Sequence, residues 1–65
     1  MTLIINGETK EFSDDSTLQN IITNLQIENK VMAAAVNMNI VKKDDWNKFI
    51  SKNDDKIGLL QFVGG

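Results

Sequence analysis

The sequence ends in Gly64-Gly65, directly after the apolar run Ile57-Gly58-Leu59-Leu60-Gln61-Phe62-Val63. Glycine weakens strands and helices, so a pair of them at a chain end does not serve secondary structure. With no Cβ on either residue, the last peptide units make a thin thread that can enter a narrow active site with its terminal carboxylate leading. A frayed terminus would have the same sequence. The other candidates for chemistry are three acidic pairs, Asp14-Asp15, Asp44-Asp45 and Asp54-Asp55. Residues adjacent in sequence rarely face each other across a cleft, as the two carboxyl groups of a glycosidase must. Each pair lies among small or polar residues, and solvated turns and helix caps account for all three.

Composition removes most other chemistry. The chain has no cysteine, so it offers no disulfide, thiolate metal site or thiol nucleophile, and no histidine, the usual general base near neutral pH. Tyrosine, proline and arginine are absent as well. These absences argue against an autonomous catalyst. Seven lysines against nine acids give a net charge of -2, which disfavours a nucleic-acid partner and suits a basic protein partner. At 65 residues and 42% hydrophobic, the chain reads as one domain over residues 1–65 with a small core. No apolar run approaches the ~20 residues of a membrane span. Met1-Thr2-Leu3-Ile4-Ile5 lacks the basic region of a signal peptide, so a cytoplasmic location is expected.

The elements that must carry the tail follow from local pattern. Thr2 to Asn6 reads as a strand. Asn6-Gly7 is the strongest short hairpin signal, because both residues tolerate the positive φ of a type I′ turn. Glu8 to Phe12 returns as an edge or half-exposed strand. Ser16-Thr17-Leu18-Gln19 fits a capping box with Ser16 at the cap, and Asp14 and Asp15 would complement the helix N-terminus. Leu18, Ile21, Ile22 and Leu25 then form one helical stripe, read as core, with Gln19, Asn20 and Asn24 facing away. Ile27 to Lys30 connects. Met32 to Val36, then Asn37 and Ile40-Val41, read as two strands or one bent strand whose alanines let a helix approach closely. Asp44 is expected to cap a short turn carrying Trp46, Phe49 and Ile50, with Trp46 as a core plug. Asn53-Asp54-Asp55 is a turn, and the last strand runs from Ile57 into the glycines. Nearly every position of that strand is apolar, which predicts a central strand covered on much of both faces. The order predicts an α+β fold, a mixed sheet clasping one helix with first and last strands parallel: the β-grasp, or ubiquitin-like, arrangement.

With the elements in this order, the chain resembles the sulfur-carrier proteins of thiamine biosynthesis, the ThiS family, relatives of the small subunit of molybdopterin synthase. The likeness covers the whole length. It rests on Ile4-Ile5-Asn6-Gly7-Glu8, Ser16-Thr17-Leu18, Ala35-Val36-Asn37 with Ile40-Val41, Asp45-Trp46, Asp55-Lys56-Ile57 and the terminal Gly64-Gly65. Two features depart from the family pattern: Asn37-Met38-Asn39 where a glycine often follows the asparagine, and a tail shorter by one residue than in many members. The resemblance implies that the Gly65 carboxylate is adenylated by an E1-like, ThiF-type enzyme. It is then converted to a thiocarboxylate and donates sulfur to a ThiG-type thiazole synthase. Gly64 would be the thread behind the reacting residue. No cofactor is bound in this scheme, and ATP is consumed by the activating partner. Docking is expected on the sheet face opposite the helix. Alternation puts Ile57 and Leu59 under the helix and Gly58, Leu60 and Phe62 on the other side, so Leu60 and Phe62 are expected partner-binding residues, Val63 beside them is taken into the same contact, and Lys42 and Lys43 lie at the fringe. A molybdopterin-type carrier, a protein modifier joined to lysines, and a non-covalent β-grasp interaction module with an incidental diglycine are the other readings.

Overall fold

The structure is a computed structural model and describes residues 1–62 of the chain. Strands β1 (Thr2–Ile5) and β2 (Glu8–Glu11) precede helix α1 (Leu18–Asn24), and β3 (Val31–Val36), β4 (Asn39–Val41), a 3₁₀ turn at Lys43–Asp45 and β5 (Lys56–Gln61) follow. The strands form one five-stranded sheet in the order β2-β1-β5-β3-β4. β1 and β5 run parallel at its centre, with Ile5 opposite Ile57, and the other neighbours are antiparallel. This is the mixed sheet with a single helix expected from the sequence.

Both hairpins turn on two residues with positive φ, as a type I′ turn requires: Asn6 (49°) with Gly7 (83°), and Asn37 (50°) with Met38 (72°). β2 is an edge strand exposed at every position. The helix begins one residue later than expected. Thr17, not Ser16, is the cap; its hydroxyl accepts from the Asn20 amide at 3.1 Å, and the Asn20 carboxamide oxygen accepts from the Thr17 amide at 3.1 Å. Ser16 instead donates through Oγ to the Ser13 carbonyl, closing the preceding turn. Nor do Asp14 and Asp15 serve the helix. The first-turn donors are taken up from across the fold, Leu18 N–H by the Phe49 carbonyl and Gln19 N–H by the Trp46 carbonyl, both at 2.9 Å. Asp14 pairs with the Met1 ammonium at 3.0 Å, and Asp15 takes a left-handed turn conformation. The helix closes in a Schellman arrangement around Gln26 (φ 60°), with Ile27 N–H bonded to the Ile22 carbonyl and Gln26 N–H to that of Thr23.

Leu18, Ile21 and Ile22 lie fully buried against Leu3, Ile5, Val31, Ala34, Val36, Trp46, Ile57 and Leu59, while Leu25, at the helix end, is half-buried. Trp46 is the core plug expected, and its indole N–H donates to the Val41 carbonyl at 3.0 Å. Asp44 does not cap its turn. It lies inside the 3₁₀ segment, which is too short to carry a stripe: Trp46 is buried, Phe49 partly so, and Ile50 is exposed and bridged to Thr17. No helix among the described residues is long and apolar enough to cross a membrane.

Candidate functional site

β5 carries the chain toward the terminal glycines, and its side chains alternate strictly. Ile57 and Leu59 are buried under the helix, whereas Lys56, Gly58 and Leu60 face outward. The strand is central, as expected, but it is covered on one face. A single seven-residue helix cannot cover both, and the apolar residues on the second face stand in the open. Leu60 is 62% exposed, and so is Phe62, just beyond the strand. Val63, Gly64 and Gly65 lie outside the described residues.

Register assembles the rest of the open face. Ala33 pairs with Leu60 and Ala35 with Gly58, so both alanines share the face of Leu60. Of the three alanines only Ala34, opposite Leu59, points into the core beneath the helix; Ala33 and Ala35 lie on the other face. Across the next pair, Ile40 stands opposite Ala35 and is exposed. Ile4 supplies the same face from β1, and Met38 overhangs it from the second hairpin tip. Gly58 and Ala35 keep the middle low. Two adjoining depressions of about 370 and 500 Å³ meet at these residues, the first walled by Ile40 and Leu60, the second by Ile4 and Met38. A Cβ placed on Gly58 would meet nothing within 4 Å, so packing of the domain does not require glycine there. Glycine inside a strand is commonly found where the strand bulges or bends or where another surface comes close.

Alternation along the last strand places Leu60 and Phe62 outside the core, where both are exposed, but gives no sign of Ile4, Ala33, Ala35, Met38 and Ile40 on the same open face. Their grouping depends on the β1–β5, β3–β4 and β3–β5 registers, which no local pattern states. Lys42 and Lys43 are exposed at the end of β4 and the start of the 3₁₀ turn, and neither lines the two depressions. The acidic pairs hold turns. Asp55 accepts from the Lys52 amide at 2.8 Å and from the Asn37 carboxamide at 3.0 Å, and Asp54 is left-handed.

Asn6 links the first hairpin to β5. Its carboxamide oxygen accepts from Leu59 N–H at 2.8 Å and its nitrogen donates to the Leu59 carbonyl at 3.2 Å.

Comparison with known proteins fits this arrangement. The sulfur carrier protein ThiS of Bacillus subtilis is 30% identical over 64 residues, covering 97% of each chain. A thiazole synthase from Paramagnetospirillum magneticum is 31% identical over all 65 residues, and the chain spans 20% of that protein's length. The crystal and solution structures of a thiamine biosynthesis protein (ThiS) from Geobacter metallireducens superpose with TM-scores of 0.83 and 0.80 at 19% identity, over the whole of this chain and 99% and 87% of theirs, and show the fold. The pattern of the ThiS family matches residues 3–65, through both terminal glycines, and the chain belongs to that family.

Proposed function

We propose that the protein is a sulfur carrier in the assembly of the thiazole ring of thiamine, with the Gly65 carboxylate as the reacting group. The observation that carries this reading is the family match running through Gly64-Gly65, on a chain that has neither cysteine nor histidine. Sulfur cannot ride on this protein as a persulfide, and the terminal carboxylate is the position left to hold it. A carboxylate resists nucleophilic attack because oxide is a poor leaving group. Attack of a carboxylate oxygen on the α-phosphorus of ATP, with loss of pyrophosphate, gives an acyl adenylate. Attack of hydrosulfide on the acyl carbon then expels AMP and, with loss of the S–H proton, leaves the thiocarboxylate.

The carrier contributes position and a handle; nucleotide binding and catalysis belong to the partners. The activating partner is an E1-like, ThiF-type adenylyltransferase, which consumes the ATP. The acceptor is a ThiG-type thiazole synthase, a reading supported by the stretch like this chain inside the Paramagnetospirillum thiazole synthase. Leu60 and Phe62 make the docking contact on the open sheet face, since exposed apolar surface of this kind ordinarily marks such contacts, and Val63, outside the described residues, is assigned to the same contact from its place in the sequence. Gly64 is the thread that lets Gly65 reach the nucleotide. The cytoplasm is where these partners operate.

Intact mass spectrometry tests the proposal. Protein incubated with ATP, a sulfide source and the E1-like enzyme of the same cells is expected to gain the mass difference between sulfur and oxygen. The same protein extended by one residue beyond Gly65 should not. An unmodified mass in the first case would replace this reading with that of a non-covalent interaction module, and sulfur uptake in the second would remove the Gly65 carboxylate as the reacting group.

A further inference from the structure

We infer that Asn6 is a positioning residue for the reacting tail, acting through the backbone of Leu59. β1 supports β5 up to Ile57, where Asn6 N–H bonds to the Ile57 carbonyl at 2.9 Å, and then turns away into the first hairpin. The next amide and carbonyl on that side of β5 belong to Leu59. The Asn6 carboxamide meets both, at 2.8 and 3.2 Å, and so takes the place of the peptide unit that a longer β1 would have supplied. On the opposite side, β3 supports β5 as far as Gln61, and the Lys30 carbonyl accepts from Phe62 N–H. The end of β5 is thus held from both sides, and the side-chain clamp is its support from the β1 side at Leu59. Leu60 follows directly and carries the docking face, so the clamp, together with the β3 and Lys30 bonds on the other side, fixes the backbone of β5 from which the docking face and the chain toward Gly65 continue.

Turn chemistry does not explain the clamp. Glycine or aspartate would satisfy the backbone at Asn6 equally well, and neither offers both a donor and an acceptor. Asn37 provides an internal control. It also opens a two-residue turn with positive φ (50°), and its carboxamide also bonds across to the segment leading into β5, accepting from Lys56 N–H and donating to Asp55, each at 3.0 Å. That contact lies at the start of the strand, away from the tail.

The inference rests on the carrier reading, and the test separates the two. Asn6→Gly, Asn6→Asp and Asn37→Gly would be compared as substrates of the ThiF-type enzyme by pyrophosphate release with the carrier varied. Both glycine variants keep their turns, and both lose side-chain bonds to the last strand or its approach. For Asn6→Gly, kcat is expected to fall about ten- to a hundredfold, as displacement of a reacting group does, while KM stays near the wild-type value because the open face is intact. Asn37→Gly should leave kcat unchanged. Asn6→Asp, which keeps the acceptor for Leu59 N–H, should recover part of the loss. In hydrogen exchange, the Leu59 amide of Asn6→Gly should exchange about tenfold faster, the size expected for loss of one such bond, while the Ile57 and Leu60 amides change little. Equal kcat for the two glycine variants, or an unchanged Leu59 amide, overturns the positioning role and leaves the carrier reading standing. Absence of adenylation of the unmodified protein overturns both.

Discussion

Leu59 and Leu60 are neighbours of the same residue type on opposite faces of one strand, and their alanine variants separate stability from docking. Leu59 is 6% exposed and Leu60 62%. Leu59→Ala opens a cavity beneath the helix, and truncations of that kind cost about 2–5 kcal/mol. A chain of 65 residues has a total stability of about 3–10 kcal/mol, so this variant should melt roughly 10 °C or more below the parent. Leu60→Ala removes a side chain that is mostly in water, and its melting temperature should move by a few degrees at most. At the partner the order reverses. Full burial of a leucine is worth about 1.5–3 kcal/mol, so covering the 62% of Leu60 still exposed contributes ~1–2 kcal/mol. Losing most of that raises KM for the carrier about five- to thirtyfold. Because the tail is untouched, kcat should stay constant. Thermal unfolding followed by circular dichroism gives the first comparison, and pyrophosphate release by the adenylating partner gives the second. Two results would refute the reasoning: a stability loss for Leu60→Ala equal to that for Leu59→Ala, or a KM that Leu60→Ala leaves unchanged.

Replacing Gly64 with isoleucine should abolish adenylation while leaving the melting temperature unaltered, which rapid quench with radiolabelled ATP and a thermal melt would check together. Met38 and Gln26 hold positive φ (72° and 60°) without the local hydrogen-bonding side chain that makes asparagine tolerant there. Met38→Gly and Gln26→Gly should each raise stability by up to ~1 kcal/mol, relief of backbone strain outweighing the extra freedom of the unfolded chain; urea titration reads this directly, and a loss of stability would place both residues outside the strained category. Leu25→Ala should cost less than Ile21→Ala, about 1–2 against about 2–5 kcal/mol, because Leu25 sits half-buried at the helix end and Ile21 is fully enclosed; equal losses in urea titration would refute the ranking.

Much of this fold is written locally. Asn6-Gly7 announces its turn because the backbone there must take positive φ at two consecutive residues, and few dipeptides do so cheaply. The Leu18, Ile21, Ile22 stripe announces the helix because three buried positions on one side of a short element leave no other periodicity. The cap was displaced by one residue because Ser16 and Thr17 are chemically alike, and the choice falls to the Phe49 and Trp46 carbonyls, which reach the helix start from about thirty residues downstream. The end of the helix gave no signal, since Gln26 occupies the left-handed position that glycine usually marks. The last strand shows the limit of hydropathy most plainly. An apolar run reads the same whether its second face meets a helix or a partner, and only the count of available helices decides between them. The site was half legible for a related reason. Leu60 and Phe62 follow from alternation within one strand, but Ile4, Ile40 and the Asn6 clamp depend on pairings between segments far apart in sequence, 53 residues for Asn6 and Leu59.

The exposure of that second face is selective. A small sheet that merely failed to cover its apolar residues would leave its edges equally unguarded. Here the outer edge on one side is β2, four residues long, with Glu8, Lys10 and Glu11 in it, and the other is β4, reduced to three residues. Charge and brevity are the usual defences against strand-to-strand association, and both edges have one. The face between them is apolar and uncovered across Ile40, Ala35, Gly58 and Leu60, with Lys56 at the start of β5 as the charge beside it. A glycine at its centre also costs strand stability with no steric need. Protection at the rims together with exposure in the middle restricts which contacts the domain can make: a partner that covers the sheet face is favoured, and another copy extending the sheet is not. For the proposed carrier function, this division leaves the sheet face free for a partner while the edges stay closed to further strands, so docking through the face does not compete with growth of the sheet.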